Sequence, residues 1–194
     1  ALEGNPTVLF PAFTQGTIAA GETSTLTWFG AWAYNTPSPQ VTLTYKDIAN
    51  VLQTVDVTGL SSYPCSAVKG TNFTFTVTSA SGKQGTTTVY LSVKSAASIS
   101  SLTATPASIR VGDPVSITTV FNGVNGKLYY QIGSNSHLYG PITSGTPVQI
   151  SSSHAAMVNQ QPTFYVVCAD TYGNLVQSDV LIVPCAPKIL QFTA

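Results

Sequence analysis

Apolar and polar side chains alternate with a period of two in short runs along the chain, and the plainest of these runs occurs twice. Phe73, Phe75 and Val77 alternate with neighbours that can face water, Gly82 follows among Ser and Lys, and Val89 and Leu91 resume the pattern. Phe164, Val166 and Cys168, a turn at Asp170-Thr-Tyr-Gly173-Asn174, and then Val180 and Ile182 stand 91 positions further on, member for member. Period two marks a strand with one buried face, and Gly beside Asp, Asn or Ser marks a tight turn, so each copy predicts a β-hairpin. A second block recurs at the same offset: Thr14, Ile18, Gly21-Glu22, Leu26 and Trp28 match Thr105, Ile109, Gly112-Asp113, Ile117 and Thr119. Ile18 should close a strand segment, Gly21-Glu22 should turn, and Leu26 and Trp28 should point inward, as Ile117 and Thr119 would.

A 91-residue repeat in 194 residues implies one unit written twice. The expected units are 1–95 and 96–186, joined by the short polar linker Lys94-Ser-Ala-Ala-Ser98, with 187–194 left over. Residues 6–13 read as an edge strand interrupted by Pro11, which cannot donate to a central ladder. Phe29 to Pro39 reads as a loop, because the alternation breaks and prolines cluster. Val41, Leu43 and Tyr45, and later Leu128, Tyr130 and Ile132, restore period two. Val55 and Val57 in the first unit, and Val148 and Ile150 in the second, predict short strands before the crossing segments Gly59–Lys69 and Ser151–Gln161. No ten-residue stretch has the helical period. About seven short strands per unit, with turns every 8–12 residues or so, predict an all-β chain of two tandem immunoglobulin-like antiparallel β-sandwiches.

Composition changes the picture of the surface. Charged residues are 7% of the chain against a usual value near 25%, so hydroxyls rather than ions cover the outside. The seven basic residues are scattered and balanced by seven acids, which leaves no basic stripe for a phosphate backbone and argues against a nucleic-acid partner. No apolar run approaches the roughly 20 residues of a membrane span. Residues 1–20 lack a signal-peptide pattern, which is expected of a trimmed chain, a fragment, or one that never used such a signal.

Candidate chemistry is sparse. Three cysteines leave at least one unpaired in a monomer. A hairpin turning at Gly173 would put Cys168 opposite about residue 179 and Cys185 about 20 Å further along, so no intrachain disulfide is expected, and Cys168 reads as a small core residue in the place of Val77. Free thiols fit folding in a reducing cytoplasm. His137 and His154 fall in predicted loops or crossing segments with no acid nearby in sequence and read as surface residues; no metal, cofactor or catalytic set is expected. The acids, Glu3 among them, are dispersed, and Asp170 with Asn174 reads as a turn cap rather than a calcium site. Asn72-Phe73-Thr74 fits a glycosylation acceptor but starts a strand. The aromatics of predicted loops, Trp32 and Tyr34 in the first unit and Tyr139 and Tyr172 in the second, form the candidate ligand or assembly surface, either stacking on sugar rings or burying against loops or another subunit.

Thr14–Trp28, Phe73–Lys83 and the Ala-Asp-Thr-Tyr-Gly-Asn turn resemble bacterial and phage immunoglobulin-like repeats, including the polycystic-kidney-disease type. That resemblance implies spacers, surface adhesins or virion decorations, non-catalytic, with other protein subunits as partners and glycans as a further partner. The expected location is a virion exterior or a cell surface. Two alternatives stand beside it: a carbohydrate-binding module of an enzyme, and an extracellular filament built by strand donation. For the last, Ile189, Leu190 and Phe192 are the candidate inter-subunit strand, because 187–194 repeats Ile99 and Leu102-Thr103-Ala104 at an offset of 90 and so reads as a third unit's first strand or as a donor strand.

Overall fold

The computed structural model describes residues 4–110, 112–157 and 161–186. The chain divides into two compact units that meet between Lys94 and Ser95. Unit 1 holds β1 (Thr7–Leu9), β2 (Ala12–Phe13), β3 (Thr17–Ala19), β4 (Thr23–Thr27), β5 (Gly30–Trp32), β6 (Gln40–Lys46), β7 (Leu52–Asp56), β8 (Ser62–Ser66), β9 (Thr71–Thr78) and β10 (Gln84–Lys94). Unit 2 holds β11 (Ser98–Thr105), β12 (Ile109–Arg110), β13 (Val115–Asn122), β14 (Val124–Ile132), β15 (Asn135–Pro141), β16 (Val148–Ile150), β17 (Thr163–Ala169), β18 (Leu175–Gln177), β19 (Leu181–Ile182) and β20 (Cys185–Ala186), with one 3₁₀ turn at Ala155–Met157.

In unit 1 a sheet ordered β2-β4-β8 packs on one ordered β3-β10-β9-β6-β7, and β1 pairs with β5. Every pair is antiparallel except β3 with β10. Unit 2 repeats the plan, with β11-β13-β16 on β15-β14-β17-β18 and the parallel pair β12-β20. These are immunoglobulin-type sandwiches. Period two accounts for the core. Phe73, Phe75 and Val77 of β9 meet Leu43 of β6, Leu91 of β10, and Leu26 and Cys65 of the facing sheet. Phe164 and Val166 hold the same place in unit 2 among Leu128, Ile117 and Ile150. Each such side chain contributes about 1.5–3 kcal/mol by leaving water.

The turns follow the residues expected of them. Gly82 and Gly173 take φ of +83° and +85°, a region that costs an L side chain energy and glycine little. The Glu22 carboxylate accepts from the Ala19 amide at 3.0 Å, and Asp113 accepts from the Arg110 amide at 3.2 Å, the same device 91 residues apart. Leu26, Trp28, Ile117 and Thr119 all point inward.

Five expectations need correction. Phe29–Pro39 is not wholly loop, because Gly30–Trp32 forms β5 against β1. The crossing segment of unit 1 contains β8. Val57 lies past the end of β7, which stops at Asp56, and the two short strands sit in different sheets: Val55 faces Leu43 on β6, whereas Val148 faces Ile117 on β13. Ser24 faces Cys65, and 91 positions later Val115 faces Ile150, so Ile150 stands where Cys65 does. Tyr139 and His137 lie on β15, not in a loop.

The fifth correction concerns the return strand of unit 2. Cys168 faces Val176, not residue 179, and Phe164 faces Leu181, so four steps along β17 are matched by five on the return. That extra residue is a bulge, and a one-residue slip turns each later side chain to the opposite face. Val180 and Ile182, expected inside, are exposed, while Leu181 packs on the core and Val183 is buried. Ser178 holds the bulge: its amide donates to the Val166 carbonyl and its hydroxyl accepts from the Val166 amide, both at 2.9 Å. Ile189, Leu190 and Phe192 lie outside the described residues.

Candidate functional site

Unit 1 presents two surfaces with distinct chemistry. The first is aromatic. Ala31 packs on the core and Ala33 is buried, so period two turns Trp32 and Tyr34 outward on one side, 46% and 40% exposed. The Trp32 ring lies over Gly4, where an added Cβ would sit 3.1 Å from Trp32 Cη2. The Thr36 hydroxyl donates to the Tyr34 carbonyl at 3.0 Å and accepts from the Ala80 amide at 2.9 Å, which ties this segment to the β9–β10 turn. Beside Trp32 is a shallow depression lined by Ala31, Ala33, Asn35, Thr36 and Pro37. A flat ring next to amide and hydroxyl groups can stack on a sugar face or on a protein side chain.

The second surface is made of three rows that carry no ring, bordered past Thr88 and Thr54 by a fourth in which Tyr90 faces Asn72 and Lys46 faces Leu52, with Tyr90 58% and Leu52 65% exposed. The outward residues of β7, β6, β9 and β10 line up across the sheet. Thr54, Thr44, Thr74 and Thr88 form one row, Asp56, Thr42, Thr76 and Thr86 the next, and Gln40, Thr78 and Gln84 a third. Hydroxyl contacts run along the rows, Thr44 to Thr54 at 3.3 Å and Thr74 to Thr88 at 3.0 Å, and the Gln84 amide donates to Thr78 at 3.2 Å. Asp56, the one ionised group in these three rows, is turned to its own loop, where the Thr58 hydroxyl and amide hold its carboxyl below the usual range. The threonine rows escaped the reading of the sequence, although Thr42-x-Thr44, Thr74-x-Thr76-x-Thr78 and Thr86-x-Thr88 are visible in it.

The candidates of unit 2 are not gathered into one site. Tyr172 is 52% exposed at the tip of the β17–β18 turn. Tyr139 is half-buried, donates to the Gln149 carbonyl at 3.0 Å, and touches the His154 ring at 5.0 Å, so it braces β15 against β16. His137 stacks on Tyr130, and His154 meets the same ring edge-on at 4.7 Å while its Nδ1 accepts from the Ala156 amide. Among the described residues no group of three or more His, Cys, Asp or Glu is placed to hold a metal.

Asp170 does more than cap its turn. Its Oδ1 accepts from the amides of Tyr172 and Asn174, both at 2.9 Å, and its Oδ2 accepts from Asn174 Nδ2 at 2.9 Å and from the Ala96 amide at 3.2 Å. Burial pushes its pKa up, but the Asn174 side chain and the three amides outweigh burial and hold the carboxyl below its usual range. Ser95 adds a bond from its hydroxyl to the Asn174 carbonyl at 2.8 Å, so the turn grips residues 95–97 where unit 2 begins. All three cysteines are free; Cys65 and Cys168 are buried, and burial pushes the Cys65 thiol up to about 12. Cys168 occupies the core as Val77 does in unit 1.

Among the described residues no helix is long and apolar enough to cross a membrane. No protein-family profile and no curated protein matches the chain. Solved structures match over most of the chain. A 1.5-MDa bacterial ice-binding adhesin is 18% identical over 94% of this chain and 67% of that one, with a TM-score of 0.34. A chain from the complex of the mouse coronavirus receptor-binding domain with its murine receptor matches at 12% identity, 94% and 100% coverage and a TM-score of 0.38. Murine CEACAM1b matches at 11% identity, 94% and 100% coverage and a TM-score of 0.36.

Proposed function

We propose that this chain is a non-catalytic structural or adhesive immunoglobulin-like protein of a virion exterior or a prokaryotic cell surface, which binds other protein subunits or glycans through exposed side chains on rigid sheets. The observation that supports this reading most is the Trp32–Tyr34 ledge, two large aromatics held outward by a strand and by the Thr36 bonds and left substantially in water. Contiguous exposed apolar surface rimmed by polar groups marks an interaction site. Analytical ultracentrifugation of the chain, imaging of the native source and a glycan array test it. Self-association, or glycan binding that Trp32→Ala abolishes while the fold survives, is the expected result. A chain that stays monomeric, binds no glycan and occurs only as an isolated secreted species overturns it.

A second reading is favoured by the threonine rows. A surface that repeats in two directions suits a partner that also repeats in two directions, so the outer face of β7-β6-β9-β10 serves attachment to a crystalline solid.

A further inference from the structure

We propose, resting on this second reading, that the threonine face of unit 1 binds ice. Neighbouring strands lie about 4.8 Å apart and alternate residues about 6.7 Å apart along a strand. Eight threonines, at 42, 44, 54, 74, 76, 78, 86 and 88, therefore occupy a lattice with a short and a longer repeat. Hexagonal ice repeats its surface oxygens on the same two scales, a short repeat in the basal plane and a longer one along the hexagonal axis. Threonine suits such a surface for two reasons. Its β-branch limits χ1, so the hydroxyl is held in place rather than sampled. Its methyl group sits beside that hydroxyl and gives bulk water little to bond, so water over the face orders around the methyls while the hydroxyls anchor it.

The chemistry separates ice from the other crystalline candidates. A polysaccharide crystal offers flat sugar faces that several aromatic rings stack upon, whereas the three rows contain no ring and the adjoining row contributes one, Tyr90, at the border of the lattice. A charged mineral would call for an array of carboxylates or cations, whereas Asp56 stands at the end of one row, engaged by Thr58, and the adjoining row adds a single cation, Lys46. The right-handed twist of about 20–25° between strands limits the match to adjacent strands, so one unit should hold ice weakly.

The test is partition of the full chain into slowly growing polycrystalline ice, with the habit of a single ice crystal as a second readout and retention on microcrystalline cellulose and chitin run in parallel. Thr76→Tyr raises a ring in the middle of the lattice on an outward position where strands accept aromatics. Thr88→Tyr, at an exposed row end, replaces it if its unfolding curve departs from wild type. Val120→Tyr in unit 2 is the off-face control. Several-fold enrichment of wild type and Val120→Tyr in the ice over a non-binding protein, faceted crystals, and loss of both with Thr76→Tyr are the expected results. Exclusion of wild type from ice together with Thr76-dependent retention on cellulose or chitin overturns ice as the partner and leaves attachment to a crystalline solid standing. Exclusion from all three solids overturns both. Enrichment that survives Thr76→Tyr but not Trp32→Ala overturns the assignment to this face.

Discussion

Asp170→Asn exchanges one oxygen for an NH₂ group of the same shape inside a turn where four N–H groups converge on a carboxylate. Two of these, the amides of Tyr172 and Asn174, keep an acceptor if the asparagine carbonyl replaces Oδ1. The other two, from the Ala96 amide and Asn174 Nδ2, then point at a donor. Hydrogen bonds to a charged group contribute about 1.5–3 kcal/mol each, and removing the buried charge returns part of its desolvation cost, so a net loss of about 2 kcal/mol is expected in unit 2. For a domain of this size that lowers Tm by at least about 8 °C. Both tryptophans, Trp28 and Trp32, lie in unit 1. Tryptophan fluorescence therefore follows unit 1, while circular dichroism also follows unit 2, and only the second signal should move. Because the folded pKa of Asp170 is depressed, its stabilisation is present above the unfolded value near 3.9 and is lost as pH falls through the folded value. Asp170→Asn should flatten the acid limb of unit 2 and leave that of unit 1, where Asp47 is similarly depressed by the amide of Val51, the Gln53 side chain and the Ala49 amide. Asp170→Ser copies Ser79, which holds the same backbone turn in unit 1 through its amide to the Lys83 carbonyl at 2.9 Å. It should keep the hairpin while hydrogen exchange of the Ala96 amide speeds up. A stability for Asp170→Asn within about 0.5 kcal/mol of wild type, or an equal shift of the fluorescence transition, refutes the clamp.

Three further outcomes are expected. Ser178→Ala removes the acceptor of the Val166 amide and should destabilise unit 2 by about 1–2 kcal/mol, measured by urea unfolding; no change means water replaces the hydroxyl. Trp28→Ala should cost unit 1 about 3–5 kcal/mol, because Trp28 is 5% exposed and packs edge-on to Phe75 at 4.9 Å, whereas Trp32→Ala should cost under about 1 kcal/mol; the reverse order would place Trp32 in the core. Native thiol titration at mild alkaline pH should modify Cys185 alone at first, with Cys65 and Cys168 reacting only on unfolding, and early loss of Cys65 would contradict its burial.

The core was legible in the sequence because burial obeys a local rule. Phe73, Phe75 and Val77 alternate with threonines, and a half-buried strand has no other way to place them; Phe164, Val166 and Cys168 were legible by matching these three across 91 positions, since their neighbours Tyr165, Val167 and Ala169 are apolar and Tyr165 and Ala169 are buried too. The glycines and acids of the turns were legible for the same reason, since the φ of Gly82 and the reach of Glu22 depend on a few adjacent residues. Strand β8 was not, because Ser-Tyr-Pro-Cys-Ser carries proline and serine, and it pairs because β4 supplies a ladder from Thr23 to Thr27 that tolerates Pro64 on an edge. The carboxylate of Asp170 could be assigned to its turn, but its bond to Ala96 spans 74 positions and depends on where the start of unit 2 passes.

Surfaces are harder to read than cores because they depend on register, and register is a relation between strands. Thr42 and Thr76 share a row only because Leu43 faces Phe75 and Val41 faces Val77, and the same core pairing sets Thr44 beside Thr74. The buried face thus determines the outward lattice, and a slip of one residue in β9 would put phenylalanine where threonine stands. Unit 2 shows the consequence of such a slip. Its return strand is matched to that of unit 1 across 91 positions, yet one residue accommodated at Ser178 brings Leu181 and Val183 inside and sends Val180 and Ile182 into water. Unit 1 has no such bulge between β9 and β10, whose register is unbroken from Thr71–Leu91 to Thr78–Gln84. An ordered face of threonines therefore needs an uninterrupted register as much as it needs threonine, and among the described residues only unit 1 combines the two.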